Sequence, residues 1–180
     1  MKNLEDWGVS LEDIPPEGLT VEFKDITDLK DIKVIQGFSG FFKLKKIGIE
    51  LKLEGFLKGK IELICDRCLS PFEFSIEHSF KIDLKPLASL NFEGEKELSE
   101  EEMEVSFYED DWISFYNLLK EEIILAIPYK KLCKKDCKGL CPICGVNLNE
   151  NPCNCKREKK NTPFAVLKEM FKNKNLEKGG

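Results

Sequence analysis

The sequence predicts an α+β fold: an antiparallel sheet packed by a helix, followed by a cysteine-rich module and a short C-terminal helix. Three observations carry this. Apolar and polar residues alternate with period two over much of residues 19–84, an apolar stripe at helical spacing runs from Trp112 to Ile127, and six of eight cysteines crowd between Cys133 and Cys155. A chain of 180 residues has room for one self-sufficient core with an appendage.

Pro15-Pro16 and Gly18 mark a turn before the first strand. Leu19, Val21 and Phe23 alternate with Thr20, Glu22 and Lys24, which predicts a half-buried strand near residues 19–25. Past Ile32 to Ile35 and the glycine-punctuated run Gly37 to Gly40, Ile47, Ile49, Leu51 and Leu53 share one face, and Ile61, Leu63 and Cys65 continue on odd numbers. The parity then switches: Phe72, Phe74, Ile76, His78, Phe80, Ile82 and Leu84 are even, with polar residues between them. The segment Cys65 to Pro71 is therefore a bend between two strands. An antiparallel sheet with one dry face is the simplest architecture that uses these segments.

The stretch from Glu93 to Asp111, with ten acids and one lysine, reads as a solvated loop. A helix is expected to start at Asp110 or Asp111 as cap and to stop before Pro128; Trp112, Phe115, Leu119, Ile123 and Ile127 form its apolar stripe against the dry face of the sheet. In the tail, Thr162 caps and Pro163 opens a last helix, with Phe164, Leu167, Met170 and Phe171 as its stripe.

The N-terminus lacks the basic start and apolar run of a signal peptide, and no apolar stretch nears the ~20 residues that span a bilayer. A soluble, cytoplasmic chain is expected, and in a reducing compartment clustered cysteines point to metal rather than to disulfides. Zinc takes four thiolates or imidazoles, and two cysteines separated by two residues clasp one ion from one turn. Cys65-Asp66-Arg67-Cys68 and Cys141-Pro142-Ile143-Cys144-Gly145 have that form. The only histidine, His78, falls on the dry face of a strand and reads as a core or buried-edge residue, so all-cysteine sites are favoured.

Eight cysteines fit two structural zinc ions per chain. One pairing joins Cys141 and Cys144 with Cys153 and Cys155, and Cys65 and Cys68 with Cys133 and Cys137. That pairing is the first choice; a swap of the two C-terminal pairs comes second, and one zinc with two to four free cysteines third. Thiol redox chemistry is the competing use of a Cys-x-x-Cys pair, but Cys68 is followed by Pro71 and a strand rather than by a helix start. Phosphate-cradling glycine loops, Gly-x-Ser-x-Gly and His-Glu-x-x-His are absent, so neither an enzyme nor a small-molecule substrate is expected.

Charge divides the chain. The net charge is −5, yet Tyr129 to Gly180 holds 13 Lys and Arg against 5 Asp and Glu, and residues 1–128 hold 15 against 28. Three regions follow: an acidic sheet domain over 1–128, a basic cysteine-rich module over 129–160, and a C-terminal helix and tail over 161–180. Lys130, Lys131, Lys134, Lys135, Lys138, Lys156, Arg157, Lys159 and Lys160 surround the cysteines and are candidates for contacting RNA phosphates.

Four segments in this order, Cys65-Asp66-Arg67-Cys68, Glu121 to Pro128, Cys137 to Asn149 and Pro163 to Leu167, resemble the bacterial YceD-like family of large ribosomal RNA subunit accumulation proteins. The resemblance implies a role in accumulation or processing of the 23S ribosomal RNA precursor. Expected partners are that RNA or, in a second reading, a basic ribosomal protein or assembly factor docked on the acidic body. Some members lack the C-terminal cysteine cluster, which implies that the sheet, the helix and the tail carry the shared task.

Overall fold

The computed structural model describes residues 4–87, 105–108 and 111–155. Seven strands are present among them: β1 (Gly8–Ser10), β2 (Leu19–Ile26), β3 (Val34–Ile47), β4 (Glu50–Ile64), β5 (Pro71–Pro86), β6 (Val105–Tyr108) and β7 (Trp112–Ser114). One α-helix, α1 (Phe115–Ala126), follows β7 directly. The chain forms two compact units, Met1–Cys137 and Lys138–Gly180.

The main sheet has the order β2-β3-β4-β5-β6. Its first four strands are antiparallel neighbours, but β6 runs parallel to β5, so the sheet is mixed. Parallel neighbours need a crossover of a dozen or more residues, and the connection after Pro86 has that length. β6 also lies inside the acidic stretch that the sequence suggested was loop. Most of that stretch, like the predicted C-terminal helix, lies outside the described residues.

Alternation decides burial strand by strand. In β4, Leu51, Leu53, Leu57 and Ile61 are buried while Lys52, Glu54 and Lys58 are exposed; in β5 the buried residues are Ile76 and Leu84, after the predicted parity switch. The continuous pattern through Ile47 and Ile49 hides a turn. Gly48, at φ +63°, and Ile49 close the β3–β4 hairpin with Ile47 paired to Glu50, a geometry in which two-residue hairpins place a positive φ. Ile47 and Ile49 are consequently exposed at the tip.

The helix also begins later than the sequence suggested. Trp112, Ile113 and Ser114 pair with β1 instead, and the cap is Ser114, whose hydroxyl accepts the Asn117 N–H at 3.2 Å. Trp112 is an exposed strand residue rather than the first member of the stripe. Phe115, Leu119 and Ile123 do join the sheet in the core, and Ile127 caps the helix end before Pro128. The N-terminal segment, which carries little periodic signal, supplies Trp7 to an aromatic cluster, with ring centroids 5.5 Å from Phe23, 5.8 Å from Phe42 and 5.4 Å from Phe115. His78 is half-buried and pairs at 3.0 Å with Glu122, whose buried carboxyl joins α1 to β5.

Candidate metal centres

Both Cys-x-x-Cys segments lie where the backbone reverses. After β4 the chain turns through Cys65 to Ser70, with the Cys65 N–H donating to Ser70 O at 3.0 Å and the Leu69 N–H to Cys65 O at 2.9 Å. Asp66 ties this knuckle to the segment beyond α1: its N–H donates to Lys131 O at 2.8 Å, and its carboxylate accepts the Lys131 N–H at 2.7 Å. That two-way clasp brings Cys133 and Cys137 to the end of the β4–β5 connection. Aspartate next to a cysteine carries no sequence signal for it.

The eight thiols form two groups, Cys65 with Cys68, Cys133 and Cys137, and Cys141 with Cys144, Cys153 and Cys155, the sulfurs of each lying within 4.8 Å of one another. In the first group Sγ of Cys65 and Cys137 are 3.8 Å apart, and Sγ of Cys68 and Cys133 are 3.6 Å apart. A disulfide would bring them to about 2 Å. Four sulfurs about 2.3 Å from a central zinc stand about 3.8 Å apart at tetrahedral angles, so the spacing suits a closed metal site and leaves no room for a substrate ligand. All eight are free cysteines.

The second group is built on a smaller knuckle. The Cys141 N–H donates to Val146 O at 2.8 Å and the Gly145 N–H to Cys141 O at 2.9 Å, while the Ile143 N–H points at Cys141 Sγ at 3.5 Å. Asn147 and Asn149 brace the loop, Asn149 accepting the Lys138 N–H at 2.9 Å. Gly145 follows the second cysteine at φ +74°; the equivalent residue of the first knuckle is Leu69, at φ +58°. A leucine there costs about 1–2 kcal/mol relative to a relaxed conformation. Leu69→Gly is expected to raise stability by about 1 kcal/mol, read as a higher urea midpoint of the metal-loaded protein.

Electrostatics prepares one thiolate in each group. Burial pushes the Cys65 thiol up, but N–H groups of Cys133, Cys68 and Arg67 outweigh it and bring it to about 6. At Cys141 the N–H groups of Cys144 and Ile143 act first, also giving about 6. Burial and then neighbouring thiols push Cys133 up to about 12, and the Cys144 and Cys141 side chains, with burial, do the same for Cys155. Metal must displace the protons held at these high values, so affinity falls with falling pH. Affinity should fall more steeply with pH below about 6, where the low thiols also protonate in the metal-free chain. Cys144 and Cys155 are exposed whereas Cys65, Cys68 and Cys137 are buried, so a chelator should empty the second group first, followed as colour from a zinc-binding dye.

Of the candidate RNA contacts, Lys130, Lys134, Lys135 and Lys138 are exposed and Lys131 is half-buried against Asp66. Lys156, Arg157, Lys159 and Lys160 lie outside the described residues. Among the described residues no helix is long and apolar enough to cross a membrane.

The family described as large ribosomal RNA subunit accumulation protein YceD matches the chain over residues 53–171. An Arabidopsis thaliana protein named large ribosomal RNA subunit accumulation protein YCED homolog 1, chloroplastic, is 28% identical over 178 residues, covering 84% of this chain and 54% of that protein. Uncharacterized proteins of Mycobacterium bovis and Mycobacterium tuberculosis are each 32% identical over 107 residues, covering 59% of this chain and 49% of theirs. The chain spans about half the length of the curated relatives it matches. No solved structure matches it significantly. The matched residues begin within β4 and take in β5, α1 and both cysteine groups, and on that extent the chain belongs to the YceD family.

Proposed function

We propose that this chain is a non-catalytic, zinc-stabilised factor in the accumulation of large-subunit ribosomal RNA, acting in the cytoplasm by binding the 23S precursor. The family match over residues 53–171 carries the proposal. Zinc is the metal that a closed set of four thiolates suits best, and its part is structural: it would hold the knuckles closed. In this reading the acidic domain over 1–128 is the body, and the basic segments over 129–160 and 161–180 face RNA. The exposed Lys134, Lys135 and Lys138 would meet phosphates.

Depleting the protein in its own cells should lower mature 23S RNA relative to 16S RNA, with precursor ends accumulating, measured by primer extension. Binding of purified protein to a 23S precursor transcript should weaken steeply with salt. Replacing Lys134, Lys135 and Lys138 together by glutamine should flatten the log–log slope by about 2, since each phosphate contact on single-stranded RNA contributes about 0.7. Unchanged 23S levels, or binding indifferent to salt, would count against the proposal.

A further inference from the structure

The face of the main sheet opposite the core has a composition of its own. Five successive ladder rows point outward across β3, β4 and β5: Gln36-Lys60-Ser75, Ser39-Lys58-Glu77, Phe41-Phe56-Ser79, Lys43-Glu54-Lys81 and Lys45-Lys52-Asp83. These rows hold six lysines against three acids, with the exposed Glu22 of β2 paired to Phe41 beside them, in a domain that is otherwise acidic. The central row is aromatic. Phe41, 38% exposed, and the half-buried Phe56 lie side by side on neighbouring strands, with ring centroids 6.4 Å apart and planes 30° apart.

Water-facing strand positions usually carry polar residues, and two phenylalanines cost hydration there unless something covers them. What covers them must suit their surroundings. Ser79 on β5 is small and Glu22 on β2 bounds the row's other end, so an open depression forms, lined by Phe41, Phe56 and Ser79 and flanked by Glu54 and Lys81. Glu54 is neutralised by Lys81 at 2.9 Å, and Lys52 is paired with Asp83 at 3.7 Å. Lys45 and Lys58, on either side of the aromatic row, make no ion pair among the described residues. Rings in the middle with unneutralised cations on both sides match an unpaired nucleic-acid strand, whose bases stack on aromatic faces while its phosphates run past lysines. A basic protein would meet these same lysines with repulsion.

We infer that this outer sheet face is a stacking platform for single-stranded RNA, with Phe41 and Phe56 taking unstacked bases and Lys43, Lys45 and Lys58 facing the backbone. The inference rests on the RNA-binding reading above and adds base contacts on the sheet to the phosphate contacts of the basic cysteine module. Duplex RNA offers no free base face and should bypass the platform.

The test uses the full metal-loaded chain and fluorescein-labelled oligoribonucleotides of mixed sequence, about 12 nucleotides long to span one such site. Phe41→Leu with Phe56→Leu is expected to weaken single-strand binding by about tenfold or more, from lost stacking on two rings. Phe41→Tyr with Phe56→Tyr should preserve it, and neither pair should change binding of the matching duplex. If the leucine pair binds as the parent does while glutamine at Lys134, Lys135 and Lys138 abolishes binding, the platform falls and the RNA reading stands. If the parent chain binds no RNA, both fall. Equal loss in the leucine and tyrosine pairs with a lowered thermal midpoint would assign the rings a structural role and overturn the platform. Loss of a basic ribosomal protein from the leucine pair, with RNA binding intact, would give the face to a protein and overturn it too.

Discussion

Cys65→Ser should remove one metal equivalent per chain and lower the thermal midpoint by about 10 °C. Its magnitude comes from chain topology. Cys65 faces Cys137 across 72 residues, and Cys68 faces Cys133 across 65, so an ion at this group cross-links the β4–β5 bend to the segment beyond α1. By the loop-entropy argument used for disulfides, closing a loop of that length is worth about 4 kcal/mol, and each kcal/mol moves the midpoint of a chain of this size by about 2–4 °C. Cys144→Ser is the control. Its group closes a loop only from Cys141 to Cys155, so it should also lose one equivalent while leaving the main unfolding transition in place. Elemental analysis and scanning calorimetry read both quantities. Full metal content in Cys65→Ser would remove the first group from the metal sites.

The same topology explains what the sequence could and could not disclose. Cys-x-x-Cys spacing is local, so the two knuckles at Cys65 and Cys141 are legible directly. Which other pair each knuckle meets is not, because the first group forms only once the sheet and α1 bring Lys131 against Asp66. In β4 and β5 one dry face imposes alternation over long strands, and those strands are legible to within a few residues. β1 and β7 have three residues each, too few to show a period, and they are stabilised by pairing with each other. Trp112 misleads for a related reason: it stands three residues before Phe115 and mimics a helical stripe, although Ser114 is what begins the helix. Ile47 and Ile49 keep the strand period across a turn that only the conformation of Gly48 reveals. Phe41 and Phe56 fall outside the alternating runs that the sequence singles out, and only the register places them side by side on the wet face.

Phe42→Ala tests the joint that holds the sheet, the helix and the N-terminal segment together. Phe42 is fully buried, its ring stacked at 5.4 Å and 8° on Phe115 of α1, 5.1 Å from Phe23 and 6.1 Å from Phe80, with Trp7 at 5.8 Å. Truncation removes a ring from a closely packed cluster whose other members belong to two other strands, the helix and the N-terminus. They cannot all collapse into the space, so the cost should reach about 3–5 kcal/mol, a fall in midpoint on the order of 10 °C. Trp7 reports the loosening directly, since it is the only tryptophan in the cluster while Trp112 is already exposed; emission should shift to the red before the main transition. Phe41→Leu, one residue away on the opposite face, should move the midpoint by less than about 1 kcal/mol equivalent, as surface substitutions do. Because α1 leads the chain from the sheet back to Lys131 and Cys133, a loosened helix should also let a chelator strip the first cysteine group faster in Phe42→Ala than in the parent, while the second group exchanges at the parental rate. Equal stripping rates at the first group would mean that the Asp66–Lys131 clasp, rather than the packing of α1, holds that site together.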